Sequence, residues 1–173
     1  MTSDSLNNER EWQEWRAEYM KQVQDLIHQY GWFAQGVLAG ESHPEYEYTI
    51  GLTQTYNHPE FIIFGLHGDT MHGILSILVR EIESGARFIG GDRVSQVIEG
   101  YDLAICPVPG DRYDEYVGVA LDYNNGPDFE LLQVVWPDRA GHFPWEDNYD
   151  SRLHEQQPLL CTSYEGSGNP PGS

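Results

Sequence analysis

Tyr48-Thr-Ile-Gly-Leu-Thr-Gln-Thr-Tyr-Asn-His-Pro-Glu-Phe-Ile-Ile-Phe-Gly-Leu66 decides the fold. Tyr48, Ile50 and Leu52 alternate with Thr49, Gly51 and Thr53, the period of two of a strand with one buried face. Phe61 to Leu66 is a nearly continuous apolar run, which predicts a central or doubly covered strand. Residues 53–60 between them are almost all polar or turn-forming. A polar loop held between two core strands is where a binding site is expected.

Working outward, Trp12, Trp15, Tyr19, Val23, Leu26, Ile27 and Tyr30 recur at spacings of three and four. That spacing predicts an amphipathic helix ending before Gly31, its aromatic stripe covering one side of the sheet, with docking of the two tryptophans on a partner as the alternative. Met1 to Asn8 reads as a frayed polar start. Trp32 to Ala39 reads as a strand. Gly68-Asp69-Thr70 opens a second helix capped by Asp69 or Thr70, with Met71, Ile74, Leu75, Leu78, Val79 and Ile82 buried and Gly85 as its stop. Val94 to Ile98 reads as a short strand or one helical turn. Tyr101 to Val108 is a strand whose end is marked by Pro107 and Pro109. Asp111 to Tyr123 reads as one helix, and Phe129 to Trp136 as an interior strand. Asp138 to Glu146 fits no regular element, and Gln157 to Leu160 reads as a last packed segment. The expected architecture is α+β: a mixed or antiparallel sheet, open or partly closed into a small barrel, with flanking helices. Residues 1–30 form the packed N-terminal helix, 31–161 one globular domain, and 162–173 a flexible Ser/Gly/Pro-rich tail.

The chain has 28 Asp and Glu against 9 Lys and Arg, a net charge of −19. Such a surface repels nucleic acid backbones and anionic membranes and suits solubility or a basic protein partner. With Lys21 as the single lysine, Arg80, Arg87, Arg93, Arg112 and Arg139 are the candidates for anion contact. Cys106 and Cys161 are too few for a disulfide framework or an all-cysteine zinc site, and Cys106 reads as a small buried residue. There is no secretory leader pattern and no apolar run long enough to span a bilayer, so the expected location is cytoplasmic.

The chemistry of the loop residues suggests a small-molecule ligand. His58 and Glu60, two apart in extended chain, point the same way and form a candidate acid–base pair. The simpler alternative is that they hydrogen-bond the loop shut around Pro59. Asp138 joins His58 and Glu60 as a candidate catalytic residue. Thr49, Thr53, Trp136 and Trp145 are the candidates for holding a cofactor or planar ligand, by hydroxyl donation and stacking. The site is expected where residues 53–60 meet residues 136–145. A metal at His58, Glu60 and His142 has no supporting spacing. No Gly-x-Ser-x-Gly elbow is present. Neither a cofactor nor a reaction is specified.

Tyr48 to Thr53, His58-Pro-Glu with Phe61 to Leu66, Val135-Trp-Pro-Asp-Arg-Ala-Gly-His-Phe-Pro-Trp145, and Gln157-Pro-Leu-Leu160 together resemble an uncharacterised bacterial family, domain of unknown function 4262. The resemblance runs from Gly31 to Cys161 and implies no activity. The positions matching its polar pattern are Thr49, Thr53, His58, Glu60, Asp138 and Trp145. The helix before Gly31 is an addition to the typical start of that domain or a divergent version of it. Tyr48-Thr-Ile-Gly-Leu is also similar to a strand of the flavin reductase split barrel, which would imply flavin held by backbone and hydroxyl groups. The scarcity of basic residues to meet the flavin phosphate weighs against that implication.

Overall fold

The computed structural model describes residues 3–162. Helix α1 (Ser3–Tyr30) leads into β1 (Phe33–Val37) and β2 (Tyr46–Ile50). A short helix α2 (Leu52–Tyr56) precedes β3 (Glu60–Phe64), followed by α3 (Gly68–Glu83), β4 (Arg93–Ile98) and β5 (Tyr101–Pro107). A 3-10 turn, α4 (Tyr113–Tyr116), α5 (Gly118–Tyr123), β6 (Leu131–Val135) and a 3-10 turn at Ser151–Leu153 complete the order. The six strands form one mixed sheet in the order β1-β2-β3-β6-β5-β4. Only the central β3–β6 pair is parallel, with Glu60 opposite Leu131 and Ile62 opposite Gln133.

The sheet is open, with β1 and β4 at its edges. The partly closed barrel is therefore corrected, and the flavin reading loses its fold-level support. An open sheet exposes ladder groups, and β4 limits this with an irregularity between Val94 and Ile98 where Gln96 takes a positive φ. Such bulges discourage pairing with other chains.

Two apolar layers sandwich the sheet. Tyr46, Tyr48, Ile50, Ile62, Phe64 and Leu131 pack on one side against Val23 and Ile27 of α1 and against Tyr113, Tyr116, Val117 and Ala120. Phe61, Ile63, Leu132 and Val134 pack on the other side against the apolar stripe of α3. Strands β2, β3 and β6 are buried at every position. For β2 this corrects the expected single buried face: helices cover both sides, and the buried Glu47 of β2 reaches His72 of α3 at 2.8 Å.

Local differences from the sequence expectations have identifiable causes. Helix α1 starts at Ser3, since residues 3–8 have nothing to oppose helix once the periodic segment nucleates it. The cap of α3 is His67, whose Nδ1 accepts from the Asp69 amide at 3.3 Å, in place of Asp69 or Thr70. The helix expected over 111–123 is broken at Val117, whose φ of −125° and ψ of 45° are not helical. The break lets Val117 bury fully beneath α4 and α5. The tail expected over 162–173 lies outside the described residues apart from Thr162.

Cys106, on β5, is bridged to Cys161, which corrects its reading as a plain small residue; the Cα atoms are 6.0 Å apart and the bridge spans 55 residues. It pins the chain beyond Leu160 to a small cluster of Ala104, Val135 and Phe143. By loop-closure entropy a bridge of this span contributes about 4 kcal/mol, so reduction is expected to lower Tm by roughly 10 °C. Thermal melts with and without a phosphine reductant check this, alongside thiol alkylation read by intact mass. Two free thiols in protein purified without reductant would show that the pair stays reduced, as a cytoplasmic setting would keep it. Among the described residues no helix is long and apolar enough to cross a membrane.

Candidate functional site

The polar segment between β2 and β3 is ordered by the Glu60 side chain. Gly51 takes φ 104°, a left-handed conformation that turns the chain out of β2 into α2. A Cβ there would stand 2.8 Å from Ile27 of α1, so the turn also requires glycine for space. Gly51 has no side chain with which to cap α2. Glu60 supplies the cap from nine residues further along: its Oε1 accepts from the Gly51 amide at 3.0 Å and the Thr53 amide at 3.2 Å. Its Oε2 accepts from the Thr49 hydroxyl at 2.7 Å. Thr49 Oγ1 in turn accepts from the Phe61 amide at 2.8 Å, closing the β2–β3 ladder where the strands part. Glu60 is fully buried, and that burial pushes its carboxyl up to about 7, although the three donors act in the other direction.

His58 has an equally occupied ring. Its Nε2 accepts from the Phe88 amide at 2.9 Å, which leaves the proton on Nδ1, donated to the Pro59 carbonyl at 2.8 Å. Burial lowers its pKa, so it stays neutral and ties the 84–92 connection to the 53–59 segment. Adding a proton would set an N–H against the Phe88 N–H. His58 and Glu60 thus both hold groups of their own loop and its neighbours in place.

Asp138 does the same work after β6. Its Oδ1 accepts from the Ala140 and His142 amides at 2.9 Å each, and its Oδ2 from the Asp150 amide at 3.0 Å. Burial raises its pKa, but the backbone donors and His142 outweigh that, and the net direction is down. Trp136 is buried and donates Nε1–H to the Phe64 carbonyl at 2.7 Å. Trp145 stacks on Phe143 with centroids 5.1 Å apart.

The seven expected site residues fall into two groups that do not meet. Because β3 and β6 are parallel, residues 53–59 enter the sheet at one end and residues 136–145 leave it at the other. Thr49, Thr53, His58 and Glu60 gather at the first end, while Trp136, Asp138 and Trp145 lie at the second. The expected contact between the two loops is corrected by strand direction, which sequence periodicity does not report. The same separation removes the metal set of His58, Glu60 and His142. Among the described residues no three His, Cys, Asp or Glu side chains are grouped to hold a metal ion.

What residues 53–59 do face is the connection into β6. Thr53, Asn57, His58 and Pro59 form one wall of a cleft of about 290 Å³, with Pro127, Asp128, Phe129 and Glu130 opposite and Arg87 at its side. The Glu60 amide donates to the Glu130 carbonyl at 2.8 Å, fastening the two walls at the floor. Arg87 is exposed and has no ion pair among the described residues. Arg87 and Glu130 both lie close enough to act on the charge of His58, in opposite directions. Arg87 stood among the expected anion contacts, but Asn57 and residues 127–130 carried no sequence signal beyond turn composition.

A second missed pair is Gln133 and Gln157, both fully buried. Gln133 donates to the Pro158 carbonyl and accepts from the Leu160 amide, at 2.8 Å each. Gln157 clasps Trp136, accepting its amide at 2.9 Å and donating to its carbonyl at 2.8 Å. A lone glutamine within Leu-Leu-Gln-Val-Val was the available signal for such a clamp.

A family model, Domain of unknown function (DUF4262), matches residues 26–150. No curated protein matches the chain, and no solved structure does. The match begins near the C-terminal end of α1 and takes in the sheet, both walls of the cleft and Asp138.

Proposed function

The chain belongs to the family of that domain of unknown function, whose description carries no activity, and on its geometry we propose that it is a small-molecule binding domain with its site in the cleft between residues 53–59 and 127–130. The observation that carries this reading is an arginine with no ion pair among the described residues, Arg87, at the side of a cleft that Asp128 and Glu130 also line. The Arg87 guanidinium is exposed at the cleft, and its planar fork suits a carboxylate. The facing carboxylates suit an ammonium group. Asn57 and Thr53 add neutral polar groups, and Phe129 with the two prolines an apolar wall. The combination fits a small zwitterion of amino-acid size, near the lower end of ligand cavity volumes.

The role is binding. His58 in the cleft wall and Glu60 behind it are engaged in ordering the loop that shapes the cleft. Isothermal titration with a panel of α-amino acids, simple amines and short carboxylates tests the reading. Zwitterions are expected to bind in preference to either singly charged set, and Arg87→Ala is expected to weaken binding at least tenfold while leaving Tm unchanged, since the side chain is exposed. The reading fails if no panel member binds at millimolar concentration, or if Arg87→Ala binds as well as the parent.

A further inference from the structure

Helix α1 contradicts its own sequence pattern. Of the stripe expected to pack on the sheet, Val23 and Ile27 are buried, but Trp12 and Trp15 are 56% and 54% exposed. The helix packs on β1 and α5, and residues 5–18 of it are all exposed. The two indoles are not left at random. Trp12 stacks on Trp15 at 5.0 Å and Trp15 on Tyr19 at 5.5 Å, making a continuous aromatic ledge. The ledge forms one wall of a groove whose other wall is Val119, Leu121, Asp114 and Asp122. A contiguous row of exposed aromatic rings is a candidate interaction surface. The ledge also precedes residue 26, where the family match starts.

The charge around the groove decides what covers it. Its one cation, Arg16, is spent on Asp122. Asp114 stands on the opposite wall. Glu11 and Glu18, two helical turns apart, flank the Trp15 side of the stripe and are exposed. A second copy of this chain would bring the same carboxylates face to face, added to a net charge of −19 on each partner. A cationic apolar segment meets both features at once, with Lys or Arg over the indole faces and against the rim carboxylates.

We propose that the α1 groove is a docking site for a basic amphipathic helix of a protein partner, its apolar face on the Trp12–Trp15–Tyr19 ledge and its cations on Asp114, Glu11 and Glu18. The surface is independent of the small-molecule cleft.

The test titrates the full chain with a synthetic Leu/Lys amphipathic helical peptide, following tryptophan emission at low and at physiological ionic strength. A Leu/Glu peptide of the same apolar pattern is the control. The basic peptide is expected to shift emission to the blue and to bind at least tenfold more tightly than the acidic one. Trp12→Ser with Trp15→Ser, which removes the reporting indoles and is therefore read by calorimetry, is expected to weaken it tenfold or more with little change in Tm, since both side chains are over half exposed. Asp114→Asn, which leaves the apolar ledge intact, is expected to weaken it several-fold. The proposal is overturned if the basic peptide fails to bind at low salt, or if the serine variant binds it equally, which would be diffuse attraction to an acidic surface. It is also overturned if sedimentation shows a dimer that the serine substitutions dissolve, because a second copy would then own the groove.

Discussion

Glu60→Ala is expected to cost about 4 kcal/mol, from three buried donors left without an acceptor and the cavity behind them. The Thr49 hydroxyl and the Gly51 and Thr53 amides all point at this one carboxylate, so its removal uncaps α2 and loosens the end of the β2–β3 ladder together. Glu60→Gln is expected to behave in the opposite way. Its carbonyl can accept from the two amides while its NH2 donates to Thr49 Oγ1, the pattern of a protonated glutamic acid. The distinction appears in the pH profile. The folded carboxyl titrates at about 7 and the unfolded one at 4.5, because burial penalises the charge. Between those values the folded state holds more protons than the unfolded state, so the contribution of Glu60 to stability is complete below pH 4.5. It declines as pH rises towards 7 and is level above that. The full swing is about 3 kcal/mol. Urea midpoints at several pH values, taken as the difference between parent and Glu60→Gln, isolate this group from the many other carboxylates. The glutamine variant should match the parent near pH 4.5 and exceed it at pH 8. A difference that is flat with pH would mean that the carboxyl is already ionised at no cost in the fold.

This behaviour explains why the strands were legible in the sequence and the role of Glu60 was not. Tyr48, Ile50 and Phe61 to Phe64 announce themselves by hydrophobic period, a local property. A cap delivered to Gly51 from Glu60 depends on where β3 turns back, which is tertiary. The same limit separated the candidate site residues. Trp136, Asp138 and Trp145 are as polar or aromatic as a site requires, yet parallel pairing of β3 with β6 puts them at the far end of the sheet. Local pattern carries no strand direction. It also carries no account of what lies beneath a helix, so the spacing from Trp12 to Tyr30 does not separate the buried Val23 and Ile27 from the exposed Trp12 and Trp15. Gln133 and Gln157 show the reverse case: a polar residue inside an apolar run was visible, and only its partner was hidden.

Gly65→Ala is expected to be the most damaging of the small substitutions, and comparison with Gly85→Ala shows why. Both glycines have positive φ, 75° at Gly65 and 102° at Gly85. A Cβ at Gly85 meets open space, so only the left-handed backbone is penalised, by about 1 kcal/mol. A Cβ at Gly65 would meet the backbone carbonyl of Gln156 at 1.9 Å, a contact that no side-chain rotation relieves. The chain at 156–160 must therefore retreat. It leaves behind Gln133 and Gln157, fully buried amides whose partners are the backbones of Pro158, Leu160 and Trp136. Each orphaned buried group costs about 1–3 kcal/mol, so Gly65→Ala is expected to lose at least about 4 kcal/mol against about 1 for Gly85→Ala. Hydrogen exchange tests whether the loss takes this route. The Leu160 and Trp136 amides, which donate to Gln133 and Gln157, should lose protection in Gly65→Ala before the amides of α3 do. The Cys106–Cys161 bridge keeps the displaced segment tethered, so reduction should deepen the defect in Gly65→Ala more than it destabilises the parent. Equal costs for the two alanine variants would refute the close approach at Gln156. Equal loss of protection throughout the sheet would show that the segment and the sheet unfold as one unit. Segment release ahead of the sheet would make residues 156–160 a late-docking strap, held by two glutamines and one bridge on an already formed core.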